Sequence, residues 1–355
     1  MPQIQAVCVS VVVPCRNEIQ HIRAFLDSLF RQELGAIEVE ILIADGMSDD
    51  GTRQVLAEME AKVAGLRVID NPEKIVSTGL NRAIRAARGE IILRMDAHTL
   101  YAPDYIRACV EVLEQTRADN VGGPALTRAE GYIPQAIALA FQAPFARGGA
   151  KFRDARYEGP ADTVPYGCWR KSTLERIGMF DETQVRSQDY ELNARIISRG
   201  GTVWQSPKIK SWYRPRASLS SLFWQYFQYG FWKVAVIRKH RGLASPRNFA
   251  PSTCLLSGAG LLLGAGAARL GGSPGWENAF LDAWLALAGI YFLASFASAF
   301  SVAKREGWRF LPCLPVVFAI YHLSYALGFV LALLYRPSIG SHPAPMRKVL
   351  TAITR

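Results

Sequence analysis

The last third of this 355-residue chain carries three apolar runs, at about 249–270, 279–303 and 310–335. Each is long enough to cross the ~30 Å hydrocarbon core of a bilayer as a helix. A bilayer admits only segments that satisfy their own backbone hydrogen bonds, so these runs restrict the fold more than any other feature. The second run holds a single charge, Asp282, near one end. The third has none before Arg336, and Pro312, Pro315 and His322 are expected to kink or polarise it. The first is rich in Gly and Ala, which leaves open a re-entrant hairpin or a helix packed on its neighbours. A buried helical core is the competing explanation, and length with near-absence of charge disfavours it. The loop "KREGWR" carries three basic residues and "GGSPGWEN" none, which favours three crossings with "KREGWR" facing the cytoplasm. The tail, with Arg336, Arg347, Lys348 and Arg355, argues instead for two. The balance tips to three.

Ahead of these runs the pattern alternates. "VCVSVVVPC", "VEILIADG", "LRVID" and "EIILRMD" are short, largely β-branched runs, as expected for parallel strands covered on both faces. Between them lie helical stretches. In "NEIQHIRAFLDSLFRQ" the residues Ile19, Ile22, Phe25, Leu26 and Leu29 fall at helical spacing, with Asn17 as the expected cap. "TRQVLAEMEAKV" reads as a second helix, "IVSTGLNRAIRAAR" as a third stopped by Gly89, and "APDYIRACVEVLEQT" as a fourth. Four alternations predict an open, mainly parallel α/β sheet, in which ligands bind beyond the carboxyl ends of the strands. From 120 to about 212 the pattern loosens, with one clear helix in "DYELNARIISRG". The segment "LSSLFWQYFQYGFWKVAVIRKHRG" then combines crowded aromatics with Lys233, Arg238, Lys239, His240 and Arg241. That mixture suits a membrane interface, ahead of a core helix under the sheet.

The net charge of +11 allows nucleic acid, an anionic membrane face or phosphate-bearing substrates as partners. Lys and Arg are not gathered into a block, which argues against nucleic acid. Six cysteines at wide spacing, with no CxxC pair, read as reduced buried thiols. No secretory signal opens the sequence, so the α/β part is expected in the cytoplasm.

Asp45 and Asp96 both stand at strand ends. Asp45 can accept hydrogen bonds from a ribose hydroxyl or a pyrimidine N–H. Alone it is equally a turn aspartate. Asp96 and His98, two residues apart, can offer carboxylate and imidazole to one divalent ion, or simply cap the strand. In "SQDYELNARI", Asp189 and Glu191 are candidate acids. A helix beginning here keeps Asp189 ionised through its dipole and leaves it able to deprotonate a hydroxyl, although a plain helix cap is the local preference.

The strings "VSVVVPCRNE", "ILIADGMSDDGT", "LNRAIRAARGEIILRMDAHT" and "QDYELNARI" occur in the order and spacing of family 2 glycosyltransferases of GT-A fold, and the chain resembles that family over about 9–240. The resemblance is nearest to the succinoglycan-biosynthesis glucosyltransferase (ExoA-like) type, through Asp-Ala-His, Asp162-Thr163-Val164 with Gly167, and Gln225-Tyr226 with Tyr229-Gly230. Together with the apolar and aromatic runs above, it gives a cytoplasmic GT-A domain over 1–215, an interface helix over 216–245, membrane spans within 246–336 and a basic tail over 337–355. It further implies a nucleotide-sugar site from Pro14, Arg16, Glu18, Asp45, Asn81 and Asp96, with Mg²⁺ or Mn²⁺ at Asp96 and His98. Asp189 becomes the base of an inverting displacement. Asp162, Thr163, Gly167, Glu191, Arg195 and Gln225 fall on the acceptor side. The implied reaction moves one sugar, glucose as the expectation, from a UDP-sugar to a lipid-linked saccharide at the inner membrane. Two departures stand out. The family's Glu-Asp pair is Gln188-Asp189 here, and the Gln-x-x-Arg-Trp of processive synthases is absent after Gln225, which favours single transfer. Transfer to bare polyprenyl phosphate and a non-catalytic nucleotide-sensing role are the alternatives.

Overall fold

A computed structural model describes residues 7–240 and 245–335. Arg241, Arg336 and the basic tail over 337–355 lie outside the described residues. The chain divides into two compact units, one of Met1–Arg128 with Lys151–Arg214, the other of Ala129–Ala150 with Pro215–Arg355.

The first unit begins with β1 (Val7–Cys15), α1 (Ile22–Phe30), β2 (Ile37–Asp45), α2 (Thr52–Glu60), β3 (Leu66–Asp70) and α3 (Val76–Ala86). It continues through β4 (Ile91–Arg94), β5 (Thr99–Tyr101), α4 (Tyr105–Thr116), β6 (Asn120–Gly122) and β7 (Leu126–Thr127). The chain then contributes α5 (Tyr132–Gln142) and α6 (Pro144–Arg147) to the second unit. Back in the first unit come β8 (Gly159–Pro160), β9 (Cys168–Arg170), α7 (Lys171–Ile177), α8 (Gln188–Ser198), β10 (Val203–Gln205) and β11 (Ser211–Tyr213). The main sheet runs β3-β2-β1-β4-β9-β6-β10-β8, and a small sheet runs β5-β11-β7. Strands β3, β2, β1 and β4 are mutually parallel, while β9 runs antiparallel to β4 and β6. The expected GT-A architecture is present.

Both faces of β1 are covered, which explains its unbroken apolar run. Val9, Val11 and Val13 share a core with Ile22, Phe25 and Leu26 of α1. Val12 joins Leu80 and Ile84 of α3 and Leu192 and Ile196 of α8 in a second core. Two local expectations are corrected. Asn17 does not cap α1: it sits at φ +54° and bonds to Asp49, and the helix starts only at Ile22. Gly89 does not stop α3, which ends at Ala86. Its N–H donates to Ser10 Oγ at 2.8 Å, and a Cβ there would lie 2.7 Å from the Ser10 nitrogen. The glycine is required by close approach to β1.

The second unit adds α9 (Leu219–Lys239), α10 (Ala250–Leu270), α11 (Pro274–Glu306) and α12 (Leu314–Leu334). The last three are long and apolar enough to cross a membrane. Large apolar side chains such as Leu263, Ile290, Phe292 and Leu293 are exposed, as lipid contact would require. Helix α10 is continuous, which removes the re-entrant alternative for the first run. Pro315 falls in the first turn of α12 and Pro312 precedes the helix, so neither kinks it. His322 Nδ1 lies 3.0 Å from the Tyr291 hydroxyl of α11.

The aromatic segment is more enclosed than an interface-lying helix. Leu222, Tyr226, Phe231, Trp232, Val234 and Val236 of α9 are buried, and Tyr226 packs on Tyr321 of α12 with ring centroids 4.3 Å apart. Gly230 and Gly328 let the two backbones meet, so one side of the helix packs on α12, while Trp224 stays exposed.

Candidate active site

The loops after β1 and β2 are stitched together at the carboxyl edge of the sheet, where Cys15 pairs with Asp45. The Asn17 amide donates to Asp49 Oδ1 at 2.8 Å and accepts from the Asp49 N–H at 3.0 Å. The Asn17 N–H donates to Ser48 Oγ, and the Glu18 N–H to Thr52 Oγ1 at 2.8 Å. Pro14 lies in register with Ala44, and the Arg16 side chain covers Gly46, where a Cβ would come within 3.1 Å of it.

Asp45 is fully enclosed. Its Oδ1 accepts from Ser48 Oγ at 2.5 Å and its Oδ2 from Arg53 Nη1 at 3.0 Å. The other arm of Arg53 reaches Asp70 Oδ1 at 2.6 Å. Arg53, 42% exposed, thus bridges Asp45 and Asp70 at this strand end.

The neighbouring strand end is organised by a residue that motif reading passed over. Arg94, on β4, is almost wholly buried. Its Nε and Nη2 donate to the two oxygens of Asp96 at 2.8 and 3.1 Å, and its Nη1 donates to Asp189 Oδ1. One guanidinium thus joins the two carboxylates. The available signal was a lone cation inside the apolar run "IILRMD", since a buried charge must be paired. Burial alone would pull the guanidinium down, but Asp189 and Asp96 outweigh it and hold it charged. Burial pushes the Asp189 carboxyl up to about 6, with Arg94 pulling the other way and Asp96 adding to the rise. The expected helix dipole does not dominate: Asp189 sits in the first turn of α8, behind Ser187, and desolvation governs it.

Asp96 and His98 share one tight turn, closed by the Thr99 N–H donating to the Asp96 carbonyl at 3.1 Å. The Asp96 N–H donates to the Tyr101 hydroxyl at 2.6 Å, and Thr99 Oγ1 lies 2.8 Å from the Tyr166 hydroxyl. Tyr166 belongs to the 162–167 loop, which is thereby fixed beside Asp96. Gly167 accepts from the Arg94 N–H at 3.1 Å. At φ +110°, with a Cβ that would lie 2.3 Å from the Trp169 ring, that position admits only glycine. Thr163 Oγ1 accepts from Asn193 at 2.9 Å, and Asp162 is partly exposed next to it.

Among the described residues no three His, Cys, Asp or Glu side chains form a preformed metal cage. Asp96 and His98 nevertheless suit a hard divalent cation that takes its remaining ligands from a diphosphate and water. An ionised carboxylate has about four lone-pair sites, of which Arg94 uses two. His98 Nδ1 lies 3.2 Å from Glu18 Oε1, the arrangement that presents Nε2 as the ligating nitrogen.

Other residues named from the sequence have structural tasks. The Asn81 amide is committed to both main-chain groups of Phe180, at 2.8 and 2.9 Å, and to Glu182, so it ties α3 to that loop. Glu191 is fully buried and paired with Arg195 at 2.9 Å, whose other arms bind the carbonyls of Ile177 and Met179. This pair anchors α8 to the 177–179 turn. Gln225 belongs to the second unit, where it donates to the Tyr229 hydroxyl at 3.1 Å.

Comparison with known proteins places this geometry. The family model described as Glycosyl transferase family 2 matches residues 10–170. The chain is 30% identical to the succinoglycan biosynthesis protein ExoA of Rhizobium meliloti, over 90% of this chain and 93% of that one. It is 27% identical to a dolichyl N-acetyl-alpha-D-glucosaminyl phosphate 3-beta-D-2,3-diacetamido-2,3-dideoxy-beta-D-glucuronosyltransferase of Methanococcus voltae, over 65% of this chain and 74% of that one. Among solved structures it resembles the mannosyltransferase PcManGT of Pyrobaculum calidifontis in complex with GDP-Man and Mn²⁺, with TM-score 0.55 at 20% identity, over 90% and 88% of the two chains. At that identity the structural likeness speaks for the fold. A relative matched along nearly its whole length, together with acids standing at the strand ends of a GT-A sheet, assigns this chain to glycosyltransferase family 2.

Proposed function

We propose that the protein is an inverting hexosyltransferase that moves one sugar from a nucleotide-sugar to a lipid-linked saccharide during exopolysaccharide assembly. Glucose from a UDP-sugar is the expected donor. The three apolar helices would hold the enzyme in the cytoplasmic membrane, with the GT-A unit in the cytoplasm. The observation that carries this reading is the placement of Asp96 and Asp189 on one guanidinium at the sheet edge, beside the 162–167 loop. A donor-side carboxylate and a candidate base are thereby adjacent, as a single displacement needs.

Pro14, Arg16 and Glu18 would line the nucleotide, and Asp45 would receive the base or ribose once Arg53 yields. The acceptor hydroxyl would approach past Asp162 and Thr163 and lose its proton to Asp189 as it attacks the anomeric carbon opposite the nucleotide. A divalent cation bound at Asp96 and His98 would supply positive charge to the leaving diphosphate. Membrane anchoring raises the effective concentration of a lipid-linked acceptor.

The test is a donor screen. Purified protein in detergent receives a panel of nucleotide-sugars with polyprenyl phosphate, lipid-phosphate-sugar or lipid-diphosphate-sugar, and nucleoside diphosphate release is read. Release with a lipid-linked sugar is expected; release only with bare polyprenyl phosphate would replace the acceptor assignment. EDTA should abolish release and added Mg²⁺ or Mn²⁺ restore it; full activity in chelator would reduce Asp96 and His98 to a turn.

A pH dependence follows from Asp189. The base works only when ionised, and its carboxyl titrates at about 6. Turnover should therefore be level above pH 7 and fall about tenfold per pH unit below pH 6. A profile flat down to pH 4.5 would remove the assignment.

A further inference from the structure

We propose that Arg94 is a positioning residue for transfer: its guanidinium acts as a rigid spacer that sets Asp189 relative to Asp96. The inference rests on the reading of Asp189 as the base, and adds the element that aims it.

The chemistry of the fork carries the argument. The Nε/Nη2 edge of Arg94 is bidentate on Asp96, at 2.8 and 3.1 Å, which fixes the plane of the guanidinium. The opposite nitrogen, Nη1, is committed to Asp189 Oδ1. The backbone beneath is also held, because the Arg94 N–H donates to Gly167 and the Met95 N–H to the Val12 carbonyl, each at 3.1 Å. The side chain is 5% exposed, against 14% for Asp96 and 28% for Asp189. The cation is thus the sealed partner, and the two carboxylates are the more exposed groups. A surface arginine would contribute charge alone, whereas a buried planar fork contributes direction as well. Asp189 lies 95 residues away in sequence, on the first turn of α8. Arg94 is the contact that sets the carboxylate's angle, and it leaves the second oxygen, Oδ2, as the one to accept a proton. Since Asp96 is gripped by the same plane, the spacing between donor-side and acceptor-side groups becomes a property of one side chain.

Lysine separates this role from simple charge neutralisation. It keeps the positive charge in the buried site but offers a single nitrogen, which cannot span both carboxylates in a fixed plane. Arg94→Lys is expected to melt within a few degrees of the parent. It should bind nucleoside diphosphate with Mg²⁺ within about threefold by calorimetry, yet lose about 10²-fold in kcat, the size of effect that an ångström of misplacement produces. Its rate profile should move to higher pH, because Asp189 loses its aligned cation. A cycle with Asp189→Asn gives the decisive reading. If Arg94 acts through Asp189, Arg94→Lys costs almost nothing further once Asp189 is Asn. Full kcat in Arg94→Lys, or an equal loss on both backgrounds, would overturn the proposal. Unchanged turnover in Asp189→Asn alone would remove the base assignment itself, a separate outcome. Should Arg94→Lys fail to fold, Asp189→Glu serves with the fork intact. The longer carboxylate is expected to lose about 10²-fold in kcat with its acid limb still near pH 6, and retention of the parent rate would overturn the spacing argument.

Discussion

Asp189→Asn should lower turnover by about 10²–10⁴-fold while nucleoside diphosphate binding persists. The amide keeps the shape of the carboxylate and still offers an oxygen to Arg94 Nη1, but it cannot take a proton from an attacking hydroxyl. The acid limb of the rate profile should disappear with the group that titrates there. Steady-state release of nucleoside diphosphate, compared with calorimetric nucleotide binding, separates loss of chemistry from loss of donor. A variant that turns over within threefold of the parent would show that another residue activates the acceptor. Membrane insertion and the melting profile serve as controls, because Asp189 is not part of either hydrophobic core of the first unit.

The second large effect concerns the membrane unit. Gly328→Leu is expected to prevent α9 and α12 from packing. A Cβ at Gly328 would stand 1.9 Å from the Phe227 carbonyl oxygen, and one at Gly230 would stand 2.0 Å from that of Tyr325. The obstacle in both cases is main chain, which cannot rotate aside as a side chain does. The helices must separate, and the burial of Phe231, Trp232 and Phe329 is weakened with them. Overpacking usually costs about 1–3 kcal/mol, and backbone against backbone should place this variant at or above the upper end. Gly266→Leu is the matched control, since nothing lies within 4 Å of a Cβ there and a neutral effect is expected. Thermal melts and gel filtration in detergent read the comparison, and equal behaviour of the two variants would refute the close-packing account.

Parts of the candidate site were legible because they are local. Asp45, Asp96 and His98 each follow an apolar run, and a run that ends at a polar turn in an α/β sheet ends at its ligand-binding edge. The order of the four motifs likewise sufficed for the family. The protein partners of Asn81 and Glu191 were not legible, for an equally local reason. Each is a polar residue near a motif, and nothing in the neighbouring letters tells whether its partners are a substrate or the protein's own carbonyls. Asn81 bonds to Phe180 across 99 positions, and Arg195 to Ile177 across 18. The aromatic run of α9 posed the same problem on a larger scale, since a stripe of Phe, Trp and Tyr beside basic residues fits a bilayer surface and a helix groove alike. The deciding residues were two glycines, 98 positions apart, whose pairing no periodicity reveals.

The sequence by itself determined what depends on short-range spacing. Period-two and period-3.6 patterns, capping and breaking residues, and uncharged runs of membrane length specify strands, helices and spans, because each reflects which face of one element must leave water. Tertiary structure alone decided how charges separated along the chain are paired. The enclosure of Asp45 by Arg53, the His98–Glu18 contact and the Arg94 fork between Asp96 and Asp189 all arise where strand ends and a helix start meet at one sheet edge. The physical reason is that the energy of a buried ion depends on where its counter-charge stands in space, and the topology of the sheet sets that distance.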